Sequence, residues 1–156
     1  MKEVSINKDV RLSQHFTLGE LCKTKHITPD GNIPSHVAIE NLTRLCGWLE
    51  MLRGEWNSRY GDGDDQLVIN SGYRSEAVNK AAGGAKGSNH LTGCAADIRV
   101  SGIEQALRYA VILLDISDNA QEDFDELILE KRGITYWIHF AVRPKENRRR
   151  ILFDCR

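Results

Sequence analysis

The stretch from Ser88 to Ile98 constrains this chain more than any other. It holds His90 and Asp97, and it runs from a glycine-bearing loop into an alternating segment. Gly84, Gly87 and Gly93 let the backbone turn tightly around a site. From Ala95 to Val100, Ala95, Asp97 and Arg99 fall on one face, and Ala96, Ile98 and Val100 on the other. Period two predicts a half-buried strand. Asp97 is then a carboxylate on a strand whose back packs in the core, and His90 reaches toward it from the loop. Imidazole and carboxylate are both good zinc ligands. Taken alone, a histidine and an aspartate seven apart are more often a loop histidine and a surface acid, so the weight must come from the rest of the chain.

At 156 residues the chain is expected to form one domain over 1–156, with residues 1–10 a loosely ordered arm. Its net charge of −1 gives no electrostatic case for nucleic acid or an anionic membrane. No run approaches the ~18 apolar residues of a membrane span, and Met1 to Asp9 lack the apolar core of a signal peptide. Any delivery outside the cytoplasm is therefore expected by another route, and a monomer is expected. Cys22, Cys46, Cys94 and Cys155 show no C-x-x-C spacing, which argues against a zinc knuckle or redox motif; Cys46, in a helical pattern, and Cys94, in a small-residue run, are expected to be buried free thiols, and a disulfide stays open.

Capping signals organise the first half. Thr17 followed by Glu20 is a capping-box pattern for a short helix. His15 and Phe16 are expected to pack that helix onto the body, with His15 a weaker metal-ligand alternative. Pro29, Asp30, Gly31 and Asn32 signal a turn. Ser35 caps a helix over 36–58 with Val37, Leu42, Leu45, Trp48, Leu49 and Leu52 inward. Residues 61–65 resemble a calcium loop only superficially and are expected to be a solvated turn. A strand is expected over 67–70 and a helix over 76–82 capped by Ser75. A further helix is expected over 103–115, capped by Ser101, with Ala106, Leu107, Ala110, Val111 and Leu114 inward.

Two strand-like segments follow, 124–130 and 136–142, joined by a turn containing Gly133. Trp137, His139 and Ala141 share one face of the second; Ile138 and Phe140 share the core face. On the first, Leu127 and Leu129 face the core, which sets Glu126, Ile128 and Glu130 opposite. A six-residue connection would put Ile128 directly across from His139, with both glutamates as diagonal neighbours. The run Arg148 to Arg150 is expected to be a solvated face. The whole pattern predicts an α+β fold: an antiparallel sheet with helices packed on one side.

His90, Asp97 and His139 plus a water would make an open tetrahedral zinc site, one ion per chain. Zinc lowers the pKa of such a water to about 7, and a nearby carboxylate can accept its proton and deliver it to a leaving amine. Arg74 can hold a substrate carboxylate or a developing oxyanion, or can simply pair an acid. Alternation does not separate Glu126 from Glu130 as the base.

The sequences at 71–75 (SGYRS), 83–98 (GGAKGSNHLTGCAADI) and 137–139 (WIH) resemble the zinc D-alanyl-D-alanine carboxypeptidase-like murein peptidases. These share a metal-site fold with lysostaphin-type peptidases and the hedgehog signalling domain. HFTLGEL at 15–21 and LEMLR at 49–53 are similar to the small single-domain members. The resemblance implies His90, Asp97 and His139 as zinc ligands and Arg74 as the substrate-binding arginine. Many members have an acid three residues before the last histidine, where this chain has Tyr136. In one subgroup the acid ends the preceding strand, and Glu130 in DELILE at 125–130 matches that pattern. The implied function is zinc-dependent hydrolysis of peptidoglycan stem peptides, as carboxypeptidase or endopeptidase. A zinc-containing wall-binding module without hydrolysis, or a zinc hydrolase of other small peptides, are the alternatives.

Overall fold

The computed structural model describes residues 5–156. Of the arm expected over 1–10, residues 1–4 lie outside the described part; beyond them, Val10 and Lys8 carbonyls accept from Leu18 and Gly19 amides, which ties this stretch to the first helix.

That helix, α1 (Leu18–Leu21), begins where Thr17 accepts from the Glu20 amide. Ser35 opens α2 (His36–Arg59) by accepting from the Ala38 amide. Strand β1 (Ile69–Ser71) leads to Ser75, which caps α3 (Glu76–Ala81) through the Val78 amide. A 3-10 turn, Asn89–Thr92, precedes β2 (Ala95–Arg99). Then come α4 (Ile103–Ala120), β3 (Glu126–Arg132), β4 (Thr135–Ala141) and β5 (Arg150–Cys155).

The strands form one sheet in the order β1-β2-β4-β3-β5. Four of them pair antiparallel, as expected, and β5 adds to β3 in parallel, which makes the sheet mixed. The parallel pairing follows from the path of the chain. After β4 the segment 142–149 crosses back to the start of β3, where the Arg149 and Arg150 amides donate to Phe124 and Asp125 carbonyls. One face of the sheet packs on α2 and α4. Leu42, Leu45, Leu49 and Leu52 of α2 meet Ile112 and Leu113 of α4, and Ile98, Ile138 and Phe140 of the sheet, in a single core.

Several expectations need correction. Val37 is exposed: it lies in the first turn of α2, about 100° around the helix from buried Ala38. In α4, Leu107 and Val111 are exposed, whereas Tyr109, Ile112, Leu113 and Ile116 are buried with Ala106. Gly102, not Ser101, precedes α4 and supplies no side-chain cap. That helix runs to Ala120, where Gln121 closes it at φ 54°. Strand β1 sits later than expected. Asp65, in the turn after α2, is drawn inward to accept from the Trp56 indole. Finally β3 and β4 keep their expected lengths but are shifted toward the turn, by two residues and one, and are linked through Gly133 and Ile134 alone, with Gly133 at φ 61°.

Candidate metal centre

The free face of the sheet carries the site. Pairing of β2 with β4 sets Asp97 directly opposite His139, and pairing of β3 with β4 sets Ile128 opposite His139, the register expected for a six-residue connection. Glu126, Ile128 and Glu130 consequently lie on the His139 side and line one cleft of about 420 Å³ with His90, Asp97 and Arg74.

His90 arrives from the 3-10 turn. Ser88 caps this turn by accepting from the His90 amide, and Gly93 ends it at φ 75°. Gly93 also lies so close to α2 that a Cβ there would sit 2.5 Å from the Ala38 carbonyl. The turn is locked to the strand before α3, because the Arg74 amide donates to the His90 carbonyl. His90 Nδ1 donates to the Gly72 carbonyl at 2.7 Å. With Nδ1 engaged there, Nε2 points to Asp97 Oδ1, 3.3 Å away. His139 is held the same way from the other side. Its Nε2 donates to Glu126 Oε1 at 3.2 Å, and its Nδ1 lies 3.1 Å from Asp97 Oδ1. Three donor atoms from His90, Asp97 and His139 thus fall within 4.8 Å of one another.

The electrostatics fit a cation. Burial opposes ionisation of Asp97, but the charge and hydrogen bonds of His90 and His139 prevail and hold its carboxyl well below the usual range. Glu126 is pulled down to about 2, first by its bond with His139 and against its burial. His139 is buried, which disfavours its charge, yet Asp97 and Glu126 raise it to about 9. The two carboxylates therefore call for positive charge among these donors. Two oriented imidazole nitrogens and a carboxylate oxygen, each imidazole held through its other nitrogen, are a donor set that suits zinc.

Glu130 is in a different state. It lies across from Trp137 and is half-buried; burial, reinforced by the charge of Asp97, raises its pKa. Arg74 pairs with Asp97, Nη2 to Oδ2 at 3.1 Å, and its Nε donates to Ser71 Oγ at 2.9 Å. Tyr136 points to the core side with its ring near the Lys131 ammonium, so it is no part of the cleft. His15 is remote from the centre; its Nδ1 lies 2.6 Å from Glu50 Oε1.

A supporting layer escaped the sequence reading. Asn89 donates from Nδ2 to Asp125 Oδ2 at 2.8 Å and to Glu126 Oε1 at 2.6 Å, and accepts from Arg143 Nε at 3.0 Å. Asp125 is fully buried and takes two bonds from the Arg148 guanidinium. Burial raises its pKa, but Arg148, Asn89 and Arg143 outweigh that and bring it to about 2. Arg150 donates to Glu126 Oε2 at 2.9 Å, and Arg149 pairs with Asp118 and Asp123. The arginine run is therefore not a free solvated face: it ties β5 to β3 and steadies the acid behind His139. The one sequence signal for this layer is the acid pair Asp125–Glu126 followed about two dozen residues later by the arginines.

Cys46 and Cys94 are buried free thiols, as expected; Cys22 is a buried free thiol too, and Cys155 is free and exposed. Among the described residues no helix is long and apolar enough to cross a membrane. No curated protein matches the chain. A family model described as Peptidase M15 matches residues 14–121, a span that includes Arg74, His90 and Asp97 and stops before the β3–β4 hairpin. With the histidine and aspartate of the centre inside that span and the hairpin histidine folded against them, the chain belongs to the peptidase M15 family of metallopeptidases.

Proposed function

We propose that the chain is a zinc peptidase that hydrolyses peptidoglycan stem peptides, with one zinc held by His90 Nε2, Asp97 Oδ1 and His139 Nδ1. The observation that carries this reading is the convergence of those three atoms in a cleft that also holds a carboxyl of raised pKa, Glu130. When bound, zinc supplies Lewis acidity for a water and for the scissile carbonyl.

The chain's own residues divide the remaining work. Glu130 takes a proton from the attacking water on a carboxylate oxygen and returns it to the nitrogen of the leaving amine. Its raised pKa suits both transfers. Glu126, near 2 and bonded to His139, Asn89 and Arg150, is spent on orientation. It fixes the ring so that Nδ1 faces the cleft. Arg74 steadies Asp97 through Nη2, while among the described residues its Nη1 has no partner and can grip a substrate carboxylate. Arg132, Arg148, Arg150 and Arg156 also line the cleft, a wall suited to a peptide that carries several carboxylates.

Elemental analysis of protein purified without added metal, with digestion of purified peptidoglycan and mass identification of the products, tests the reading. One zinc per chain, lost in His90→Ala and His139→Ala, and peptide products from the wild type are expected. Full zinc with no product would make the domain a wall-binding module. Cleavage of free small peptides alone would move the substrate elsewhere.

A further inference from the structure

Strand β5 is an edge strand with an unusual surface. It pairs with β3 on one side and, among the described residues, with nothing on the other. Ile151, Leu152 and Phe153 are 52%, 45% and 61% exposed, three large apolar side chains in a row on an unprotected edge. Proteins ordinarily blunt such an edge with charge, proline or a bulge, because its free amides and carbonyls recruit another strand. The amides of Arg150 and Arg156 donate to β3, so the backbone groups of Ile151, Phe153 and Cys155, which alternate with them, point outward.

We propose that β5 pairs antiparallel with β5 of a second copy of this chain, about a two-fold axis at Leu152. This replaces the monomer expected from the sequence, and it is independent of the peptidase reading. The outward backbone groups require odd residues to pair with odd ones, which leaves three registers near the strand centre. Centring on Phe153 sets Arg150 against Arg156 of the partner subunit and Ile151 against Cys155 of the partner subunit, with no opposite-charge or aromatic–β-branched neighbours. Centring on Ile151 sets Arg150 against Leu152 of the partner subunit. Centring on Leu152 sets Arg150 against Asp154 of the partner subunit, and Ile151 against Phe153 of the partner subunit, each twice by symmetry. Opposite charges and aromatic–β-branched pairs are favourable cross-strand neighbours. A patch that complements itself in this way makes an isologous, closed interface. Arg148 then approaches Arg156 of the partner subunit at the outer ends, where Asp125 and Asp154 already neutralise the two guanidiniums. Leu152 pairs with Ile128 of the cleft floor, so it sits on the cleft side of the sheet. The two-fold therefore sets both clefts on the same side of one continuous sheet.

Sedimentation of the full chain over a dilution series tests this. A dimer that dissociates on dilution is expected. Leu152→Lys, which sets like charges at the axis, and Asp154→Arg, which faces Arg150, should each be monomeric throughout and melt at the temperature of the wild type diluted to monomer. A cross-linking experiment fixes the register. Residues at the axis form a non-hydrogen-bonded pair with Cα atoms about 4.5 Å apart, within disulfide range. Leu152→Cys in a Cys155→Ser background should give a covalent dimer under mild oxidation. Wild-type Cys155 should not, because in this register the two thiols lie roughly 20 Å apart along the strands. A wild type that is monomeric at every concentration overturns the proposal. So does a dimer that survives both charge substitutions, or one cross-linked by Cys155 and not through position 152.

Discussion

The two glutamates on β3 should fail in opposite ways when neutralised. In Glu126→Gln the side chain keeps its length, and its amide oxygen can still accept from His139 Nε2 and Asn89 Nδ2. What it loses is charge, and the new amide group turns a donor toward the Arg150 guanidinium that Glu126 Oε2 now accepts from. A hydrogen bond to a charged group contributes about 1.5–3 kcal/mol net, against about 1 kcal/mol for a neutral pair. The orientation of His139 should therefore weaken by roughly 1–2 kcal/mol, or about 5–30-fold in affinity at 1.4 kcal/mol per decade. This agrees with the about 10–100-fold cost typical of removing the partner behind a ligating histidine. Chelator competition measures it directly as the zinc dissociation constant. Glu130→Gln should leave that constant unchanged and cut turnover of zinc-saturated protein by about 10²–10⁴-fold. Saturating zinc should restore much of the activity of Glu126→Gln and none of that of Glu130→Gln. If the two phenotypes exchange, with zinc loss in Glu130→Gln and a turnover defect at full zinc in Glu126→Gln, the assignment of orienter and base is wrong.

Arg74→Ala should lower turnover strongly and weaken zinc binding slightly, through the lost bond to Asp97; Arg74→Lys should not restore turnover, since an ammonium cannot reproduce the forked grip, and kinetics with zinc titration check both. Asp125 has a folded pKa of about 2 against an ordinary 3.8. Its contribution, roughly 2 kcal/mol, is thus complete above about pH 4 and is lost as pH falls toward 2. Denaturant unfolding of Asp125→Asn should show lower stability at neutral pH and a flatter acid limb than the wild type. Gly93→Ala should cost about 1–3 kcal/mol from its positive φ alone, and more from the close Ala38 carbonyl, whereas Gly87→Ala has open space and should melt near the wild type.

What could be read from the sequence was what local rules decide. Thr17, Ser35 and Ser75 announce their helices because a capping hydroxyl acts within three residues. The faces of the hairpin were legible because Leu127, Leu129, Ile138 and Phe140 admit one core face, which puts His139 on the same side as Glu126 and Glu130; the register rested on the length of the connection. Helix α4 was harder. Apolar residues lie on nearly all its sides, and the choice between Leu107 and Tyr109 is made by α2, whose Trp56 meets the Tyr109 ring. The partner of β5 was invisible for a similar reason: nothing in Ile151 to Phe153 says which edge the strand joins or in which direction. Asn89 was passed over because its role depends on Asp125 and Arg143, which are far away in the chain and meet only in the fold.

The connection through Gly133 and Ile134 has a practical consequence. Strand β4 is clamped by β2 on one side and β3 on the other, so its register does not depend on the length of the turn that enters it. Ile134 is 95% exposed, and lengthening a surface loop carries only a small entropic cost. Arg132, which flanks this turn, and Trp137, two residues beyond Thr135 on the same face, border the cleft. A longer loop grafted here would overhang the cleft without shifting His90, Asp97 or His139. The turn is thus a place where a library of inserted segments could retune which molecules enter the cleft, with the arrangement of His90, Asp97 and His139 held constant.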